Sequence, residues 1–385
     1  MKQNPTILAL ASEFKGAEFI RECKHQGCEI FVIANERFKD HPWPWDCIDR
    51  FHTMQDLRVQ PDLTHTVAWL MRHNQIDRIV ALDDYDVEHS ADLREHTRLP
   101  GMKHTNARLF RDKLAMRDAA WQHQLPQPRF TGILNHHQVY EFMESVPAPW
   151  ILKPRTLAGS EGIEKHYQQE DLWQKLEALG DRQSYFLLEE FVSGDVYHVD
   201  SLCWKGEVIF AQVSRYGAPP LTMLQGQGIF STRVLPRDSE DSLKLIELNR
   251  QLLSAFGREY GPSHSEFIKG EDGEFRFLET SARVAGGNIE HTIECASNLK
   301  IWQEAAKMEL ADFRNEHYSL PDLRNDYSGL VACPWHEAQP DIASFAEDEI
   351  KYRYQADGYA SLVVQSEDCG RVEWLLQDLA KRLLA

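Results

Sequence analysis

No two of the seven cysteines, at positions 23, 28, 47, 203, 295, 333 and 369, are spaced as C-x-x-C, and their number is odd. That argues against a zinc site and a disulfide framework, and a reducing, cytoplasmic setting fits them as packing residues. Basic residues are the minority, 42 Lys and Arg against 60 Asp and Glu, for a net charge of -18. A general nucleic-acid or anionic-membrane surface would be repelled at long range, so neither partner is expected, and any bound anion needs locally placed cations. No apolar run approaches the roughly 20 residues that cross a bilayer. The early run TILALA is followed at once by Glu13 and Lys15 without a cleavage pattern, and reads as a first strand and not a leader. G-x-G-x-x-G does not follow that strand, and G-x-x-x-x-G-K-[ST] occurs nowhere. The usual support for a dinucleotide fold and for a P-loop is therefore missing.

What is present suffices for a large core: 385 residues, 42% hydrophobic and 26% charged, the size of two or three domains. The first hundred residues alternate strand and helix signals: TILALA, a helix from Gly16 to Gln26, EIFVIA, a helix from Leu63 to His73, then DRIVAL before Asp83-Asp84. This is the pattern of a small parallel sheet. Thr105 can cap a helix running to His123. On a 3.6-residue repeat Leu109, Lys113, Met116 and Ala120 share one stripe, an unusual place for a lysine unless its stem is buried and its head reaches water. From Trp150 to Thr280 strand signals dominate, with turns at Ala158 to Gly162, Ser193-Gly194, Lys205-Gly206 and Asp272-Gly273. Helical stretches near 171–179 and 241–257 make this region α+β. Residues 288–309 read as one helix, and 317–385 as a small sheet closed by an amphipathic helix from Val372 to Leu384.

The stretch SEFIKGEDGEFRFLETSAR, residues 265–283, carries the turn signal Asp272-Gly273 between strand-like flanks. With those two residues as the loop, Glu266 pairs with Glu279 and Phe267 with Leu278. Opposed Cβ atoms lie about 4.5 to 5.5 Å apart, where two carboxylates repel unless something cationic joins them. A hard divalent ion such as Mg2+ takes one or two carboxylates and shares the rest of its shell with water and substrate phosphates. A solvated edge pair, or a loop one residue longer that slides Glu266 off Glu279, would remove that need.

Two further stretches carry chemistry. WILKPRTLAGSEGI, residues 150–163, sets Lys153 on a strand ahead of a loop with Gly159, Ser160 and Gly162, where backbone N–H groups can approach phosphate oxygens; an ordinary turn reads the same way. YFLLEEFVSGDVYHVD, residues 185–200, runs a buried strand into Glu189-Glu190-Phe191-Val192, against which a purine can lie. A plain strand ending in a charged turn is the other option.

In this order and spacing, Asp112-Lys113 on a helix, Lys153 in LKP, the GSEG loop, the EEFVSG segment from Glu189 to Gly194, and the hairpin with Glu266, Glu279 and Arg283 resemble the ATP-grasp superfamily over residues 105–290. RDKLAMRDAA, VYHVDS and ETSARVAGG resemble its branch of carboxylate-amine (L-amino acid) ligases. The resemblance implies an ATP-grasp fold that combines α/β and α+β parts. These are an N-terminal Rossmann-like pre-ATP-grasp domain over 1–103, a small lobe with the glycine loop over 104–190, a large lobe with the metal site over 191–316, and a C-terminal α+β lid over 317–385. It implies ATP and Mg2+, two ions with Mn2+ as an alternative, small acid and amine substrates such as amino acids, and a homodimer, as in many relatives. By position, Lys113 and Lys153 would hold the α and β phosphates, and Gly159, Ser160 and Gly162 would close over the transferred phosphoryl group. Glu189 would face the adenine amino group, with Glu190 and Val192 offering backbone contacts. Glu266, Glu279 and Ser281 would hold metal, and Arg283, with Lys153, would serve catalysis at the substrate carboxylate or acyl phosphate.

Two departures stand out against the resemblance. Glu279-Thr280-Ser281-Ala282-Arg283 has serine where an asparagine completes the family's metal shell, which leaves the metal number open. Gly194-Asp195-Val196 has valine where many members carry a ribose-binding glutamate, so Asp195 takes the ribose or the contact is lost. The family layout also brings Arg215, Tyr216, Arg233, His198, His264, Gly286 and Gly287 near the substrates, though each serves as readily in packing. The implied reaction is ATP-dependent amide formation through an acyl phosphate. The alternatives are an ATP-grasp kinase or carboxylase, the latter disfavoured by the lack of a biotin-carrier segment, and a nucleotide-binding regulator without turnover.

Overall fold

The computed structural model describes residues 4–220, 229–334, 342–356 and 358–383. The chain begins as β1 (Thr6–Ala11), α1 (Ala17–His25), β2 (Glu29–Asn35), β3 (Arg50–Met54), α2 (Asp62–Met71), β4 (Arg78–Ala81) and α3 (Asp86–Thr97). The strands form a parallel sheet in the order β3-β2-β1-β4. Every residue of β1 is buried, as expected of an inner parallel strand covered on both faces. Ile7, Ala9 and Ala11 pack with Phe19, Ile20 and Cys23 of α1, while Leu8 and Leu10 pack with Leu63, Val67 and Leu70 of α2. Two elements lacked a legible sequence signal. β3 is an edge strand with no fully buried residue, and α3 buries Asp86, Ser90 and Arg94 along with its apolar residues, so neither shows the apolar periodicity that marks strand or helix.

The helix expected over 105–123 is two: α4 (His104–Arg108) and α5 (Lys113–Gln122). Asp112 makes the break, because its side chain accepts from the N–H groups of Leu114 and Ala115 and starts a new helix there. A small sheet follows, built from β5 (Phe130–Gly132), β6 (Trp150–Pro154), β7 (Glu164–His166) and β8 (Phe186–Glu190) in the order β5-β8-β6-β7. Helices α6 (His136–Ser145) and α7 (Gln169–Leu179) cover it through Val139, Phe142, Leu172 and Leu176.

The large antiparallel sheet has the order β13-β12-β9-β10-β11-β14-β16-β15. Its strands and helices are β9 (Gly194–Trp204), β10 (Glu207–Tyr216), β11 (Phe230–Val234), α8 (Glu240–Ala255), β12 (Gly261–Gly270), β13 (Phe275–Ser281), α9 (Ile289–Ser297), α10 (Ile301–Arg314), β14 (Tyr327–Pro334), β15 (Ile350–Ala356), β16 (Tyr359–Ser366) and α11 (Cys369–Leu383). The three late strands continue this sheet instead of forming one of their own: β14 pairs along β11, which would otherwise leave β11 an open edge. The single helix expected over 288–309 is split at Asn298, whose left-handed φ of 62° closes α9.

Residues alternate between the two sides of this sheet. Tyr197, Val199, Val213, Phe267 and Phe277 share a core with Met116 of α5 and Leu252 and Phe256 of α8. Val196, His198, Tyr216 and Glu266 lie on the other side, toward the parallel sheet's C-terminal edge and the small lobe.

Candidate active site

The hairpin of β12 and β13 differs from expectation in its loop and agrees in its outcome. Lys269 pairs with Phe275 and Phe267 with Phe277, not with Leu278, so the loop is Glu271-Asp272-Gly273, with Gly273 in the left-handed region at φ 80°. The extra loop residue would move Glu266 off Glu279. A bulge between Glu266 and Phe267 on the ladder, with Leu278 as the unpaired residue, restores that pairing.

What stands beside Glu279 is a lysine. Lys113 is the first residue of α5, and its Nζ lies 2.8 Å from Glu279 Oε2 while donating to the Leu157 carbonyl at 2.7 Å. Glu266 accepts from the Tyr216 hydroxyl at 2.7 Å and lies 3.4 Å from His264 Nε2. Burial pushes the Glu266 carboxyl up, but His264 and Tyr216 outweigh it and hold the group below its usual range.

Behind them sits a buried ion cluster. Lys153 of β6 places Nζ 2.6 Å from Glu189 Oε2, and Arg117, one turn along α5 from Lys113, places Nε 2.8 Å from Glu189 Oε1. Arg117 is wholly buried and also donates to the Leu278 carbonyl at 2.7 Å, which ties the helix to the bulge. Burial lowers the Lys153 ammonium below its ordinary range, against the pull of Glu189. Both Glu189 oxygens are thus engaged by cations, so the structure makes this carboxylate the lysine's counter-ion and does not leave it free to face an adenine.

A second buried cluster lies further along the same face. Asp200 accepts His198 Nδ1 at 2.7 Å and His264 Nδ1 at 2.9 Å, and His198 Nε2 meets the Thr232 hydroxyl at 2.7 Å. These three side chains have the donor chemistry of a metal site, but each ring nitrogen already has a protein partner. Burial would depress the His264 imidazole, yet Asp200 dominates and lifts it to about 9.

A third group joins the parallel sheet to the hairpin. Asp84, just past β4, receives Arg111 and the Ser281 hydroxyl and lies 3.5 Å from Arg283 Nε. Burial raises its carboxyl, but Arg111 and Arg283 outweigh this and hold it far below the usual range. Gly286, in the loop that follows, has Lys15 Nζ 3.5 Å from where a Cβ would stand, and Lys15 pairs with Asp83.

A cavity of about 290 Å³ collects Lys113, Lys153, Ser160, Glu189, Glu190, Val192, Glu266 and Glu279 among its walls. Gly159, Ser160 and Gly162 all take positive φ, a left-handed backbone that glycine adopts freely and serine rarely does. Glu190 pairs outward with Arg129 at 2.9 Å, and Val196, where a ribose-binding carboxylate was sought, supplies only an apolar wall.

Four expected positions fall elsewhere. Asp195 lies one residue from Val196 and so on the opposite face, where it pairs with Arg215 at 2.8 Å. Arg215 in turn stands opposite Arg233 in the β10–β11 ladder, so both arginines share that far face, and Arg233 reaches Glu373 of α11 at 3.3 Å. Strand alternation alone removes all three from the cavity. Ser281 is held by Asp84 instead of standing between the glutamates. Conversely, Arg117, Asp200 and Asp84 went unrecognised. Arg117 follows Lys113 by one helical turn and Asp200 follows His198 by one strand repeat, and those spacings were the available signals.

No family model matches the chain. It is 24% identical over 278 residues to an L-arginine-specific L-amino acid ligase of Bacillus subtilis, covering 70% of this chain. It spans 64% of that relative's length. Among solved structures, an L-amino acid ligase from Bacillus licheniformis superposes with a TM-score of 0.78 at 17% identity, covering 99% of this chain and 98% of the other. The biotin carboxylase domain of a Hydrogenobacter thermophilus 2-oxoglutarate carboxylase, in complex with MgADP, ADP and bicarbonate, superposes at 0.71 with 17% identity, covering 96% of this chain and 88% of that one. The chain has the ATP-grasp fold, parallel and antiparallel sheets together. Among the described residues no helix is long and apolar enough to cross a membrane.

Proposed function

We propose that this protein is a cytoplasmic ATP-dependent carboxylate-amine ligase that joins two small molecules, amino acids among them, through an acyl phosphate. The observation that carries the proposal is the convergence of Lys113, Lys153, Glu266 and Glu279 on one cavity. A carboxylate is a poor electrophile until one oxygen becomes a good leaving group. Transfer of the γ-phosphoryl group to that oxygen gives the acyl phosphate and ADP; the amine then attacks the acyl carbon, phosphate departs, and the amine loses a proton. Such transfer needs positioning and charge neutralisation more than covalent help. In this reading Lys113 and Lys153 hold phosphate oxygens, and the loop from Ala158 to Gly162 covers them and excludes water. In the same reading Arg283, 3.5 Å from Asp84 and outside the lining of this cavity, receives the substrate carboxylate.

Glu266 and Glu279 fit a divalent ion because they are paired on one face and point into the same cavity. When bound there, one or two Mg2+ ions neutralise phosphate charge. The unit boundaries near 103, 190 and 316, and a homodimeric state, belong to the same proposal. The test is ADP release with pairs of L-amino acids. Lys153→Ala and Glu279→Ala are expected to lower the rate by about a hundredfold or more, and an unchanged rate in either ends the proposal.

A further inference from the structure

A second cavity, of about 520 Å³, lies between the edge strand β4, the loop before α4, the start of β12 and α10, and shares no lining residue with the first. Three buried arginines face it: Arg78, Arg94 and Arg258, none more than 8% exposed. Arg78 is neutralised by Glu309 at 3.0 Å and Asp312 at 2.8 Å. The other two bond only to uncharged groups. Arg94 donates to the carbonyls of Met102 at 3.0 Å and Ile79 at 2.7 Å. Arg258 donates to the Pro262 carbonyl at 2.7 Å and touches Met102 sulfur at 3.8 Å, and its Nε has no partner. Among the described residues no carboxylate comes within ion-pair distance of Arg94 or Arg258. Burial, joined by the charges of Arg258 and Arg78 and opposed by Glu309, pushes the Arg94 guanidinium down to about 10.

Glu309, the ion-pair partner of Arg78, acts on Arg94 and Arg258 only from beyond ion-pair distance, and two cations held out of water without a direct partner are costly unless an anion reaches them. In a chain with a net charge of -18, such an arrangement is not background. The remaining wall is mixed: Val87, Val284, Trp302, Ala305 and Met308 give an apolar stretch, while Lys103, Glu259 and the Arg78 partners Glu309 and Asp312 are charged. The space is that of an ordinary small-molecule pocket, larger than an inorganic anion fills.

We propose that this cavity binds a small organic carboxylate with an apolar body, its carboxylate between Arg94 and Arg258 and its body against α10. Ala282, Arg283 and Val284 also wall the cavity, so an occupant bears on the backbone that carries Arg283. The binding claim is independent of the ligase proposal and is tested without turnover.

Isothermal titration of the full chain, free of nucleotide, with 4-methylpentanoate, L-leucine and inorganic phosphate is the experiment. A carboxylate is expected to bind, and Arg258→Gln to weaken it about tenfold or more while ATP binding by the same variant holds. Ala305→Leu, which narrows the wall without touching a charge, is expected to weaken the carboxylate as well and serves if Arg258→Gln does not fold. Binding of phosphate alone, binding of neither carboxylate, or carboxylate binding unaltered by these substitutions overturns the proposal.

Discussion

Glu279 stands directly opposite Glu266 across the β12–β13 ladder, and the cation paired with Glu279 is Lys113 from a different element, at 2.8 Å. A lysine in that place does for the free protein what a divalent ion would do for the loaded one. Replacing it by methionine keeps the stem and removes the charge, leaving Glu279 without its ion-pair partner while Glu266 keeps His264 at 3.4 Å. Lys113→Met is expected to lose about 1 to 2 kcal/mol without metal, the lower end reflecting Glu279's partial exposure. It should then gain more melting temperature from millimolar magnesium than the unaltered protein does. Equal magnesium shifts in thermal denaturation would show that Lys113 does not screen the pair.

Glu189 is the next test, because it is the counter-ion of two buried cations at once. In Glu189→Gln the amide can still accept one hydrogen bond, but Lys153 and Arg117 are left uncompensated in the interior. Removing one side of a buried ion cluster costs about 3 to 5 kcal/mol. Urea denaturation should report a lower midpoint at unchanged slope; a midpoint within error of the parent would mean that the cluster is wetter than the structure has it.

How much of this was legible beforehand depends on whether a signal is local. β1 and β2 announce themselves, since a strand buried on both faces must be apolar throughout, whereas β3, with no fully buried residue, obeys no such demand. Lys113 on a buried stripe and Lys153 on a strand ahead of glycines were readable for the same local reason. The pairing of Glu266 with Glu279 was reached through a loop of the wrong length, and only the bulge at Leu278 makes it true. Which face Asp195, Arg215 and Arg233 present follows from strand alternation once the strands are aligned, but that alignment is set by ladders between distant segments. Asp84 meeting Ser281, 197 residues away, has no trace in either local stretch.

His264, on Asp200, sets a pH dependence. His264 is raised from 6.5 to about 9 in the folded chain. Its contribution is therefore complete below pH 6.5 and is lost as pH rises through about 9. Asp200 is held below its ordinary range, so its contribution is present above about pH 4 and fades only in acid. A lift of this size corresponds to stability on the order of 3 kcal/mol. Metal-free denaturation of the unaltered protein between pH 6 and 10 should show that loss, and Asp200→Asn should flatten it. An alkaline slope equally steep in the variant would assign the titration to other groups.

Ser281 separates two roles that position alone confuses. Its hydroxyl is given to Asp84, so Ser281→Ala should cost about 1.5 to 3 kcal/mol as a lost hydrogen bond to a charged group. Magnesium affinity, followed by titration in the presence of ADP, should stay within a factor of about two, since Glu266 and Glu279 are untouched. A large fall in affinity with unchanged stability would instead make the serine oxygen a ligand.

Gly194 marks where the hinge segment enters the large sheet, opposite Gly270 in the β9–β12 ladder. A Cβ at this position would stand 1.9 Å from the Lys269 carbonyl oxygen, a backbone atom that cannot swing aside as a side chain would. Gly194→Ala must therefore part the two strands at their ends, at a cost of about 1 to 3 kcal/mol. The displaced segment includes Val192 and Val196 of the cavity wall, so nucleotide affinity should fall together with stability. Gly206→Ala is the matched control, because nothing lies within 4 Å of a Cβ there, although its φ of 83° still adds some strain. If the two substitutions destabilise equally and neither alters nucleotide binding, then backbone strain and not the close approach to Lys269 explains the need for glycine at 194.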